Sequence, residues 1–228
     1  MEAFKRSSAP FVTYFLVAIN VLVFIYMLMT FKTTTSFEAL IETGAKSNPH
    51  IVYQGEWYRL VTAAFIHIGF EHLLFNNLSI YFIGQDLERL MGHLRLFGLF
   101  MIASIGGNIF SFAFSEAISA GASTGIFGLF VAYIILAKMY PQSYGLKKRA
   151  MNFSLLILLN IVTGLMGSGL DNWGHIGGAV FGGLATLVIG LDGRYRTDFP
   201  KKYRWLALFG ILCLAAGLLA VGWFKLVH

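Results

Sequence analysis

The chain has 228 residues, 57% hydrophobic and only 12% charged, with a mean hydropathy of +0.70. A soluble domain carries about 25% charged residues, so this composition, with its 25 glycines and 22 phenylalanines, excludes an ordinary soluble protein and points to the bilayer as solvent. The net charge of +6 does not mark a nucleic-acid binder, because the basic residues fall in short clusters between apolar segments. The single cysteine, Cys213, allows no internal disulfide, offers no metal cluster and reads as a small core residue.

In chain order, residues 1–10 are polar, and the apolar run after them is about 20 residues long, longer than a signal-peptide core, so it reads as a span that stays in the protein. Seven apolar stretches are predicted to cross a hydrocarbon core about 30 Å thick, near 11–31, 67–87, 94–114, 122–140, 151–168, 173–191 and 204–224. No repeat and no linker divides them, so the chain is read as one all-α polytopic membrane domain over residues 1–228.

Lysines and arginines set the orientation. With the N-terminus inside, Lys5, Arg6, Arg89, Arg95, Lys138, Lys147, Lys148, Arg149, Arg194, Arg196, Lys201, Lys202 and Arg204 are cytoplasmic, against Lys32, Lys46, Arg59 and Lys225 outside. That bias favours seven spans with the N-terminus in and the C-terminus out. The longest loop, residues 32–66, then lies outside and holds a short helical pattern at Phe37–Ile41 and an interfacial Trp57-Tyr58-Arg59.

Polar residues at the starts of apolar segments need a reason, because in a membrane they are expensive. Span two opens with His67, His72 and Asn76, the last two one helical turn apart on one face; span four opens with Gly121-Ala122-Ser123-Thr124-Gly125; span six opens with Asp171-Asn172-Trp173-Gly174-His175. All three spans run from outside to inside, so topology brings these groups to one depth. Gly174, Gly178 and Gly182 form a small-residue stripe facing Gly121, Gly125 and Gly128, which predicts close packing of spans four and six and brings His175 towards Ser123.

A serine hydroxyl becomes a nucleophile when a neighbouring base takes its proton, and the resulting oxyanion needs aimed donors. Ser123 and His175 supply nucleophile and base; His72, Asn76 and the Ser123 backbone N–H supply donors. Asp171 is read as a loop residue and a bystander. Competing chemistries fit less well: no His-Glu-x-x-His marks zinc, and Asp86, Asp171 and Asp192 sit at segment ends rather than mid-membrane as an aspartyl protease requires. A transporter would show broken helices and buried charges near the midplane.

These residues resemble the rhomboid family of intramembrane serine proteases. Gly121-Ala122-Ser123-Thr124-Gly125 is similar to its Gly-x-Ser-Gly, His72-Leu73-Leu74-Phe75-Asn76 to its His-x-x-x-Asn, and Trp173-Gly174-His175-Ile176-Gly177-Gly178 to its sixth-helix histidine motif. Tyr58-Arg59, with Trp57, resembles the Trp-Arg of the embedded first loop, and Gly84 with Glu88 the inner end of the second helix. The resemblance implies a six-helix core over residues 11–192, then a basic cytoplasmic loop and an appended transmembrane helix over 193–228. It implies Ser123 and His175 as catalytic, His72, Asn76 and Ser123 as the oxyanion hole, and Phe127, His67, Gly178 and Arg59 as supporting residues. The implied partners are transmembrane substrates and the lipid bilayer, without nucleic acid, metal or cofactor, in a cytoplasmic membrane; the other family outcome is a silent relative that binds membrane proteins. Thr124 departs from the motif glycine and is expected to crowd the oxyanion approach or narrow substrate choice.

Overall fold

The computed structural model describes residues 9–154, 171–191 and 199–228, whose regular elements are helices. Helix α1 (Phe11–Phe31), α7 (His93–Phe114) and the last helix, α10 (Lys202–Val227), are long and apolar enough to cross a membrane; α8 (Ser123–Met139) is shorter, and α9 (Asn172–Ile189) packs with it. The fifth predicted span, 151–168, lies almost wholly outside the described residues, as do Asp192, Arg194 and Arg196; residues 144–154 are helical.

The predicted second span is one continuous helical rod with a shifted start. Gly69, at φ 79°, and the extended Ile66 keep His67–Gly69 out of the helix. The rod then runs through α5 (Phe70–Ser79), a π-helical turn (Ile80–Gly84) and α6 (Gln85–Met91). Gly84 lets α1 approach closely, since a Cβ there would lie 2.9 Å from the Thr13 hydroxyl.

Helix α7 is the central post: 67% of its apolar window is buried, against 17% for α10. Glycines decide how α7, α8 and α9 meet. Gly106 accommodates the Phe181 ring, Gly128 and Gly182 touch backbone to backbone, and a Cβ at Gly178 would strike the Thr124 carbonyl. The α8–α9 seam predicted from the small-residue stripe is present, and α7 shares it. Cys213 departs from expectation: it is exposed on α10, because that helix buries only one narrow face and is apolar all round.

The long loop between α1 and α5 is folded rather than open. Ser36 caps α2 (Phe37–Thr43) through the Ala39 N–H, and α3 (Asn48–Tyr53), α4 (Arg59–Thr62) and a 3₁₀ turn (Ala63–Phe65) follow. Arg59, only 3% exposed, ties the loop together by donating to the carbonyls of Ile41 (2.7 Å) and Ala45 (3.0 Å) and to Glu56 (2.6 Å). That donation holds the half-buried Glu56 carboxyl below its ordinary range. Asn108 of α7 donates to the Leu60 carbonyl at 2.9 Å, and Trp57 stacks on Trp223 of α10, so post and last helix both grip the loop.

Candidate active site

The end of the bundle where α5, α8 and α9 begin encloses a cavity of about 590 Å³ bordered by His72, Asn76, Ser123, Thr124, Phe127, Asp171 and His175. Ser123 is the first residue of α8, where the backbone N–H has no partner one turn back. Gly121, at φ 134°, turns the chain into that helix, and its N–H donates to the Ala63 carbonyl at 2.9 Å. A Cβ there would lie 2.6 Å from His72 Cε1, so glycine is required for space as well as for backbone angle.

His175 lies one turn into α9 and its Nε2 is 2.9 Å from Ser123 Oγ. Phe127, one turn along α8 from Ser123, stacks on the His175 imidazole with centroids 4.4 Å apart and planes within 10°. The ring is thus held flat while its nitrogen addresses the hydroxyl. Gly178 makes this possible by letting α9 rest on the Thr124 carbonyl.

His72 accepts the Ile68 N–H through Nδ1 (3.4 Å), which leaves the proton on Nε2, the nitrogen on the Gly121 side. Behind it, His67 is fully buried, with Nδ1 3.3 Å from the Phe65 carbonyl and its ring at an angle of 61° to His72, centroids 5.2 Å apart. Asn76 donates to the His72 carbonyl at 3.0 Å, keeping its amide beside that histidine; a carboxamide has a second N–H to offer. The structure therefore gathers Ser123, His175, His72, Asn76 and Phe127 around one cavity, with His67 and Gly178 as neighbours, whereas Arg59 belongs to the loop between α1 and α5 and does not border the cavity.

Asp171 and Lys46 depart from their sequence readings. Asp171 is the N-cap of α9 rather than a loop residue: its Oδ1 accepts the Gly174 N–H at 2.9 Å, while Oδ2 is buried without a hydrogen-bond partner among the described residues. Thr124 borders the cavity, yet its Cβ and methyl occupy room left by two glycines of the seam. A Cβ on Gly107 would lie 2.7 Å from the Thr124 Cβ, and one on Gly174 would lie 3.1 Å from its methyl. The bulk of the Thr124 side chain is accommodated by the glycines at 107 and 174. Lys46, counted from the sequence as an outer-loop cation, is fully buried near the turn into α8; a lysine among polar loop residues gave no signal of that.

A serine hydroxyl hydrogen-bonded to a histidine, within a cavity at the end of an apolar helical bundle, defines a class: polytopic membrane proteins built around a serine–histidine pair. The chain belongs to the rhomboid family, and residues 54–192 match the family's model, described as Rhomboid domain. It is 36% identical to Rhomboid protease GluP of Bacillus subtilis (strain 168) over 221 residues, 95% of this chain but 41% of that protein. It is 30% identical to Rhomboid protease AarA of Providencia stuartii over 236 residues, covering 90% of this chain and 79% of that one. RHOMBOID-like protein 2 of Arabidopsis thaliana is 31% identical over 196 residues, 82% of this chain and 62% of that one. The chain thus spans about two fifths of the length of GluP, at 41%.

Proposed function

We propose that the chain is an intramembrane serine endopeptidase that cuts transmembrane segments of other membrane proteins near the outer face of a cytoplasmic membrane. The reading rests above all on the 2.9 Å contact between Ser123 Oγ and His175 Nε2 inside a cavity shared with His72 and Asn76. The protease names of GluP and AarA support it.

The steps follow from the groups. A substrate helix enters laterally with the N-terminus of the enzyme inside, the six-helix core over 11–192 carrying the site and the appended helix over 193–228 completing seven spans. Helix-weakening residues let the substrate end unwind beside Ser123, with a small residue before the scissile bond. His175 takes the Ser123 proton as Oγ attacks the carbonyl carbon, then gives it to the leaving amine as the C–N bond breaks. The oxyanion is met by the Ser123 N–H, His72 Nε2–H and the free N–H of Asn76. Water from the outer face, deprotonated by His175, releases the acyl group and regenerates the serine. Phe127 resists tilting of the imidazole during both transfers.

The test is labelling of purified protein in detergent by a fluorophosphonate probe. Wild type is expected to label, and Ser123→Ala and His175→Ala to remain blank. A well-folded wild type that does not label would place the chain among silent relatives that bind membrane proteins without cutting them.

A further inference from the structure

Only residues 115–122 connect the end of α7 to Ser123, so the position of the nucleophile depends on what holds this short segment. Lys46 holds it twice. Its ammonium, fully buried, donates to Ser111 Oγ at 3.1 Å and to the Ser115 carbonyl at 3.0 Å, with the Ser111 carbonyl at 3.5 Å. These acceptors are at the C-terminal end of α7, where the helix dipole also favours a cation. Its backbone pairs in both directions with Ser119: the Lys46 N–H donates to the Ser119 carbonyl (2.9 Å) and the Ser119 N–H to the Lys46 carbonyl (3.1 Å). Two residues on, the Gly121 N–H is fixed by Ala63, and Gly121 presses against His72. The same lysine therefore sets where the segment leaves α7 and where it passes the cavity wall, to which Ser119 belongs.

We infer that Lys46 is a positioning residue for catalysis: its buried ammonium anchors the start of the 115–122 segment at Ser111 and Ser115 while its backbone pairs with Ser119, so that the Ser123 N–H and hydroxyl stand in register with His72 and His175. The inference rests on the reading of Ser123 as nucleophile. Asn48 is a natural contrast. It donates to the carbonyls of Phe112 (3.1 Å) and Ser115 (3.0 Å), sharing the latter with the ammonium, but it is neutral and brings no charge to the end of α7.

Protonation gives a readout that a purely structural tie would not move. Burial pushes the Lys46 ammonium down from its ordinary 10.5 to about 8, while Asp171, at the start of α9, pulls it back up. The groups facing it, Ser111 of α7 and Ser115 just after that helix, do not titrate, and the other cation at this end, Lys225 of α10, donates to the Ala113 carbonyl at 3.4 Å. Below pH 8 the ammonium has three protons for its three acceptors; above it one donor and the charge are lost.

The experiment measures kcat and KM on a fluorogenic apolar helical peptide with alanine before the scissile bond, alongside fluorophosphonate labelling and thermal midpoint, from pH 6 to 9.5. Lys46→Met is expected to lower kcat and labelling rate about tenfold at unchanged KM, because small misplacements of a nucleophile are costly. Wild-type kcat should fall through pH 8, and that fall should be absent in Lys46→Met. Asn48→Ala should lower the thermal midpoint while keeping kcat within about twofold, since it leaves the charged tie of Lys46 to Ser111 and Ser115 in place. Ser111→Ala, which removes one acceptor and is the smaller change should Lys46→Met not fold, should lower kcat about threefold. Wild-type kcat in Lys46→Met or in Ser111→Ala, an identical basic limb in wild type and Lys46→Met, or equal loss of kcat in Asn48→Ala overturns the inference. A wild type that does not label at all sinks the proposed function itself, a different failure from that of Lys46 alone.

Discussion

The two ends of the bundle treat polar groups in opposite ways. At the Glu88 end carboxylates join helices, although Arg204 Nε is buried there without a hydrogen-bond partner among the described residues. Helix α1 starts at Pro10 with no side-chain cap of its own, and the buried Glu88 of α6 supplies one from across the interface, accepting the Val12 and Thr13 N–H groups at 2.8 Å each and the Thr13 hydroxyl at 2.6 Å. His93 Nδ1 meets the same carboxylate. Nearby, Asp86 accepts from the Tyr133 hydroxyl at 2.6 Å and pairs with Arg149, joining α6 to α8 and to the helical residues 144–154. At the Ser123 end, His67 Nε2, Thr124 Oγ1 and Asp171 Oδ2 are buried with no hydrogen-bond partner among the described residues, beside an open cavity. One end spends its polar groups on joining helices; the other leaves donors and acceptors for a visiting molecule, at a cost in stability.

Substitutions at the two ends should separate rate from stability. The largest effect belongs to His175→Ala, which should lower peptide turnover by about 10³-fold or more while leaving the thermal midpoint nearly unchanged. A large loss of stability there would show that the pair holds helices together and would erase the contrast. Next is Glu88→Ala, which strands two buried N–H groups and a hydroxyl and should cost about 3 kcal/mol of stability in thermal unfolding, with turnover per labelled serine preserved. Asn76→Ala should lower kcat about tenfold, or ~1.4 kcal/mol, with residual activity, because it is one of several donors; full turnover would remove it from the oxyanion site. The smallest is Tyr133→Phe, which removes one bond but leaves Arg149 on Asp86 and should cost about 1 kcal/mol with kcat unchanged.

Much of this was written in the residue pattern. The spacing of His72 and Asn76, the glycine stripe from Gly174 to Gly182, and the placing of Ser123 and His175 at segment starts are one-dimensional signals, because a helix converts spacing into a common face and a bilayer converts segment starts into a common depth. Phe127 came from the resemblance to the family motif, and the structure stacks it on the His175 ring. The loop between α1 and α5 was not, because α3 and α4 are only six and four residues long and are held by tertiary bonds from Arg59 and Asn108 rather than by any apolar period. The start of α5 was misplaced by three residues because Gly69 adopts a backbone angle that spacing does not reveal.

The sequence by itself determined the solvent, the helical class, the family and the residues to watch, since composition, periodicity and motif need no partner to be read. Tertiary structure alone decided how neighbours complete one another. Thr124 has room for its Cβ and methyl because Gly107 and Gly174 face it. Asp171 is a cap because the Gly174 N–H lies in its reach, and Lys46 is a buried clamp because the end of α7 and the approach to Ser123 converge on it. Each is a question of which atoms meet across distant stretches of chain, and no local pattern carries that information.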